Sequence, residues 1–188
     1  GMIHFFRGNY GQASHLHEQA CEVAEARQDW FQVGVHLTNA ARVSMRLGEY
    51  ERALDQYSTS LDRKRRVGDR MGQGFALFGL GLVNTYLGRY DEAEAALADS
   101  LELRRQIDDQ RGIGYCRYGL GLLALSRREH SQAVDDFRQA YEIHSQLGLK
   151  AEMVVDLSYL GQAYLELGEL EQAAGTSDQA MALLAEQK

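Results

Sequence analysis

Proline is absent from this chain of 188 residues, and no long polar tract interrupts it, so nothing reads as a linker or a domain boundary. Cysteine is nearly absent. Cys21 and Cys116 are the only two, lie far apart and form no CxxC pair, which argues against a disulfide framework and points to a reducing, cytoplasmic setting. No apolar run approaches the length of a membrane span, and the N-terminal residues lack a signal-peptide profile, so neither insertion nor secretion is expected. Positive charge is in deficit: 20 Lys and Arg against 27 Asp and Glu leave a formal charge of −7. That balance argues against a general affinity for nucleic acid or anionic lipid. The one dense basic run, Arg63–Lys64–Arg65–Arg66, falls near a predicted helix end, where cations complement the dipole, and reads as a solvated face. Arg104–Arg105 hold the equivalent place further along. Catalytic constellations are missing too. With no paired nucleophile and base, no carboxylate dyad in register and no metal quartet, neither enzyme activity nor a metal or other cofactor is expected.

What the chain does have is a repeat. Gly8, Gly48, Gly88 and Gly168 fall in a 40-residue register, with Arg128 in the one gap. Ala13, Ala53, Ala93, Ala133 and Ala173 follow without a break, and a small residue recurs at Ala20, Ser60, Ser100, Ala140 and Ala180. A period of this length marks a solenoid whose units are stabilised by stacking on their neighbours. Inside each unit apolar residues recur three and four apart, the helical period. Leu47–Gly48–Glu49–Tyr50 and Leu87–Gly88–Arg89–Tyr90 read as tight turns between helices, because glycine tolerates the left-handed backbone of a helix C-terminus. A second turn comes half a period later, at Gln28–Asp29, Gly68–Asp69, Asp108–Asp109 and Gly148, where aspartate can cap the next helix. Helices are therefore predicted over 9–27, 30–47, 50–67, 70–87, 90–107, 110–127, 130–147, 150–167 and 170–186.

Leu160–Gly161-x-x-Tyr164, followed by Gly168 and Ala173, resembles the tetratricopeptide repeat pattern. Leu80–Gly81 and Leu120–Gly121 repeat its first half, while Ala53-x-x-x-Tyr57 and Ala133-x-x-x-Phe137 supply its second. HEAT and armadillo arrays share the period without implying this string. The length of the unit is similar to the long-repeat branch of the tetratricopeptide family, known from scaffold and regulatory proteins. The resemblance implies an all-α, right-handed α-solenoid of antiparallel helix pairs, with residues 1–188 as one domain. Its divisions would be a half repeat at 8–28 and full repeats at 29–68, 69–108, 109–148 and 149–188. It also implies a protein- or peptide-binding module in which the first helix of each pair lines a concave groove. Carried over position by position, that groove presents Asn39, Arg42 and Arg46, then Phe75, Phe78, Leu82 and Tyr86, then Tyr115, Tyr118 and Leu122. Aromatics and arginine are what interface hot spots use, and Asn39 stands where related long repeats often carry a peptide-gripping asparagine. The alternative is self-assembly. The first helix lacks all of its partner but Met2 to Arg7, and the last carries Ala173, Ala180, Leu183 and Leu184 with no polar helix after it. Ends of that kind invite stacking into a homodimer.

Several residues break the pattern. His17–Glu18–Gln19–Ala20–Cys21 is one substitution from a zinc-protease signature, yet the same columns elsewhere hold Tyr57, Leu97 and Phe137, or Leu61 and Leu101, which reads as core packing. Arg117 interrupts a column of Leu37, Leu77 and Leu157, so its guanidinium must snorkel or meet a carboxylate. The same unit departs again at Arg127, Arg128 and His130, either as local degeneracy or as adaptation to a ligand or partner. Finally, 19 glycines are many for a helical chain. Columns such as Gly34, Gly74 and Gly114, or Gly81, Gly121 and Gly161, are expected where helix backbones approach closely, not as phosphate loops, which need a preceding strand.

Overall fold

The computed structural model describes residues 8–185. Among them are nine α-helices and no strand: α1 (Tyr10–Ala26), α2 (Trp30–Leu47), α3 (Tyr50–Arg66), α4 (Arg70–Tyr86), α5 (Tyr90–Gln106), α6 (Gln110–Ser126), α7 (His130–Gln146), α8 (Lys150–Leu167) and α9 (Leu170–Ala185). Met2 to Arg7, read above as the remnant of a helix, lie outside the described residues. No described helix is long and apolar enough to cross a membrane.

The turns form as the residues dictate. Gly48 ends α2 at φ 77° and Gly168 ends α8 at φ 78°. At the first of these the Glu49 N–H donates back to the Ser44 carbonyl and Gly48 N–H to Met45, closing orphan groups of the last turn. Asp29, Asp69 and Asp109 each cap the next helix, accepting from the backbone N–H of Gln32, Gly72 and Gly112 at 3.1, 2.9 and 2.9 Å. At the fourth such corner the residue is Leu149, which makes no side-chain cap.

The chain divides into two compact units, one ending at Leu103 and the other beginning at Arg104. In the first, Ala41, Ala53, Tyr57 and Val83 form a buried cluster, with Met45, Tyr50, Leu54, Leu80 and Leu87 packed against it. In the second, Ala124, Ala133, Val134, Phe137, Leu160 and Ala163 do so, flanked by Tyr118, Leu122, Leu125, Tyr159 and Tyr164. The alanine column is buried throughout, which keeps paired helices close. The small-residue column has a further use, because Ser60 Oγ donates 2.7 Å to the Gly34 carbonyl and Ser100 Oγ 2.8 Å to that of Gly74.

Two expectations need correction. The glycine columns do not chiefly bring backbones together; they make room for side chains of a neighbouring helix. A Cβ at Gly81 would stand 2.5 Å from Leu97 Cγ, one at Gly121 2.7 Å from the Phe137 ring, and one at Gly114 2.5 Å from His144 Nε2. The basic runs are also not wholly solvated. Lys64 and Arg104 are buried at 4% and 0% exposure. Lys64 Nζ lies 3.3 Å from Asp69 Oδ2, and Arg104 pairs with Asp109. The cap of the next helix is thus the counter-ion for the end of the one before, and burial follows from that pairing.

His17, the metal-signature histidine, lies buried on α1, its ring centroid 6.0 Å from that of His36 on α2. His17 Nε2 and His36 Nδ1 are both buried without a hydrogen-bond partner. Burial is the main cause that lowers the His17 pKa from 6.5 to about 4; burial lowers that of His36 as well. A folded pKa below the unfolded one means that the unfolded chain takes the proton first. Stability should therefore fall as pH drops from 6.5 towards 4, by up to about 3 kcal/mol from this site. Urea titrations at the two ends of that window should show the loss, and His17→Leu should flatten it relative to the parent chain. An unchanged slope in that variant would contradict the assignment.

Candidate partner-binding faces

The candidate residues lie on the first helix of each pair. In the first unit α2 and α4 touch directly. Asn39, Arg42 and Arg46 share one face of α2, and Phe75, Phe78, Leu82 and Tyr86 share the matching face of α4, since positions three and four apart align on a helix. Arg42 and Arg46 are exposed, as are Phe75 at 44% and Tyr86 at 51%. Asn39, Phe78 and Leu82 are half-buried. Tyr86 stacks on Tyr50 of α3, with centroids 5.3 Å apart and planes 16° from parallel.

In the second unit Tyr115, Tyr118 and Leu122 occupy one face of α6 and are half-buried. Tyr115 donates its hydroxyl hydrogen to Glu152 Oε1 of α8 at 2.7 Å, and Arg111 Nη2 donates to the same oxygen at 2.6 Å. Burial, and then the bond to Glu152, raise the Tyr115 pKa. Burial would raise that of Glu152, but the hydrogen bonds from Tyr115 and Arg111 outweigh it and hold the carboxyl below its ordinary range. Tyr118 meets Tyr159 edge-on at 5.4 Å and lies 5.9 Å from Phe137. The rings of this face are therefore held in place by contacts within their own unit.

Arg117 meets a carboxylate, as its position required: Nη1 is 3.0 Å from Asp136 Oδ1, and Gln132 Nε2 donates to the other Asp136 oxygen at 2.8 Å. Among the described residues no three His, Cys, Asp or Glu side chains gather as a metal-binding group. Burial, together with Glu25, raises the Cys21 pKa, so the thiolate form is disfavoured there. Sequence reasoning missed His144, whose Nδ1 lies 2.6 Å from Asp156 Oδ2 with both side chains almost fully buried. The signal was available, because Lys64, Arg104 and His144 fall in one 40-residue column. At the third position the basic side chain is an imidazole and its partner moves from the cap to the middle of α8, where burial raises the Asp156 pKa against the pull of His144.

Units of short-looped helical hairpins, with aromatic and arginine side chains on the first helix of the pair, define an α-helical repeat protein. The family model for the tetratricopeptide repeat matches residues 32–106 and 76–146. The chain belongs to the tetratricopeptide repeat family. The model for anaphase-promoting complex subunit 5 matches residues 115–187, while no curated protein matches the chain. Among solved structures, a Rap protein complexed with Competence and Sporulation Factor superposes with a TM-score of 0.92 at 20% identity, over 98% of this chain and 52% of its own length. BtubC from P. vanneervenii matches with a TM-score of 0.79 at 19% identity, over 98% and 77% of the two chains. A kinesin light chain from Podosopora anserina matches with a TM-score of 0.73 at 15% identity, over 99% and 92%. This chain thus spans about half the length of the Rap protein, and the shared property is the fold.

Proposed function

We propose that the chain is a non-enzymatic module that binds a protein or peptide on the faces presented by the first helices of its pairs. The observation that carries this reading is the first unit's surface, where Phe75 and Tyr86 on α4 and Arg42 and Arg46 on α2, a helix in contact with it, are all exposed. Large rings supply contact area at low entropic cost, and arginine supplies forked donors for a carboxylate. The Rap protein, which shares the fold, is seen with Competence and Sporulation Factor bound, and that supports reading this fold as a partner-holding one. A cytoplasmic setting fits the two free cysteines, and the net negative charge disfavours nucleic acid as the partner.

Self-assembly is the second reading. Ala173 and Ala180 turn inward, contrary to their use in that argument above, but Leu170, Met181 and Leu184 of α9 are 68%, 60% and 50% exposed. One experiment separates the two. The intact chain should capture a discrete protein from lysate, and the combined Phe78→Ala and Tyr118→Ala variant should lose it while keeping its helical circular dichroism and its mass by light scattering. If the variant retains capture, the faces named here are not the binding surface. A chain of dimeric mass that captures nothing would favour self-assembly.

A further inference from the structure

The corner between the third unit of the repeat and the next departs from its siblings at several positions at once. A cleft of about 310 Å³ opens there, lined by Leu125, Arg128, His130, Gln162 and Glu166. The same backbone positions 80 residues earlier are Met45, Gly48, Tyr50, Leu82 and Tyr86. In that earlier corner the space is filled by the protein itself, through the stacked rings of Tyr50 and Tyr86. In the later one both rings are gone, replaced by an imidazole and a carboxylate, while a guanidinium stands where there was glycine and a carboxamide where there was leucine.

The exchange has features that packing alone does not explain. Arg128 takes the left-handed φ, 62°, that the turn requires, at the position that is glycine at 8, 48, 88 and 168, as Gln28 and Asp108 do at two other turns. His130 keeps Nδ1 buried with no hydrogen-bond partner. Arg128 and Glu166 line one cleft with opposite charges, yet they form no ion pair with each other or with any described residue. Two opposite charges held apart across a small cleft complement a ligand that carries the reverse pair. Gln162 can donate to or accept from either end, and Leu125 offers a short apolar wall.

We propose that this cleft binds a free α-amino acid, its carboxylate toward Arg128 and His130 and its ammonium toward Glu166. The proposal goes beyond the partner-binding reading and does not depend on it. The size suits one amino acid, in place of the two rings that close the sibling corner. A peptide end would satisfy only one of the two charges.

The test is titration of the full ¹⁵N-labelled chain with each common α-amino acid at millimolar concentration, followed by amide shifts. At least one should bind saturably, with shifts centred on residues 125–130 and 162–166. Arg128→Ala and Glu166→Gln should each weaken it by roughly tenfold or more. The N-acetylated and the C-amidated forms of the same amino acid, each lacking one charge, should weaken comparably. The double variant His130→Tyr with Glu166→Tyr rebuilds the ring stack of the sibling corner, so it should stay folded and lose binding. Absence of binding by every amino acid would overturn the proposal, as would equal binding by the blocked forms or by the double-tyrosine variant. Protein capture through Phe78 and Tyr118 would be untouched by any of these results.

Discussion

Asp69→Ala should destabilise the first unit by about 4 kcal/mol, because one carboxylate is serving two groups. It accepts the Gly72 N–H at 2.9 Å and lies 3.3 Å from the ammonium of Lys64, itself 4% exposed. Loss of the cap accounts for about 1 kcal/mol of this. The larger part is a buried cation left without its counter-charge, which typically costs 3 kcal/mol or more. Asp69→Asn keeps a capping oxygen and should recover about the cap's share. Lys64→Met should cost less than Asp69→Ala, since it leaves no buried charge behind. Urea unfolding of the three variants reads these differences, and a loss under 1 kcal/mol for Asp69→Ala would mean that the pair is energetically idle.

Phe137→Ala should cost about 3–5 kcal/mol in the second unit. The ring is fully buried, stacked 5.5 Å from Tyr159 and tilted 5.9 Å from Tyr118. It also occupies the space where Gly121 has no side chain, with Cε1 2.7 Å from where a Cβ would sit. A rigid ring boxed by two tyrosines cannot step aside, so Gly121→Ala should itself destabilise by about 1–3 kcal/mol, despite alanine's better helix propensity. In the Phe137→Ala background the same change should become neutral or favourable by up to about 1 kcal/mol. The double-mutant cycle should therefore show a coupling of about 2 kcal/mol, and additivity would show that ring and glycine do not share this space.

The helices and turns were legible because their causes are local. A glycine every 40 residues at a left-handed turn, an aspartate ahead of a helix and apolar residues at helical spacing act within a few residues of themselves. Arg117 was legible for a different reason: a charged residue in a leucine column needs a counter-charge, and Asp136 supplies it. The surface reading was less complete. Phe75 and Tyr86 are exposed, whereas Tyr115 and Tyr118 carry contacts to α8 that no count along α6 discloses. Lys64 was misread because a run of four basic residues looks solvated. Its burial depends on the cap of the following helix and on gaps at Gly34 and Gly72, on two other helices. The departures at Arg128 and His130 were visible in the repeat register, but Glu166 facing them was not.

By itself, then, the order of amino acids determined where each helix begins and ends, how the hairpins recur and which family they form, since backbone preference and apolar period are properties of short stretches. Tertiary packing alone decided which cations are buried, which rings stay exposed and which corner holds a cleft. Those outcomes depend on what a neighbouring helix places within a few ångströms, and burial is energetically tolerable only where that neighbour supplies the opposite charge or the missing volume.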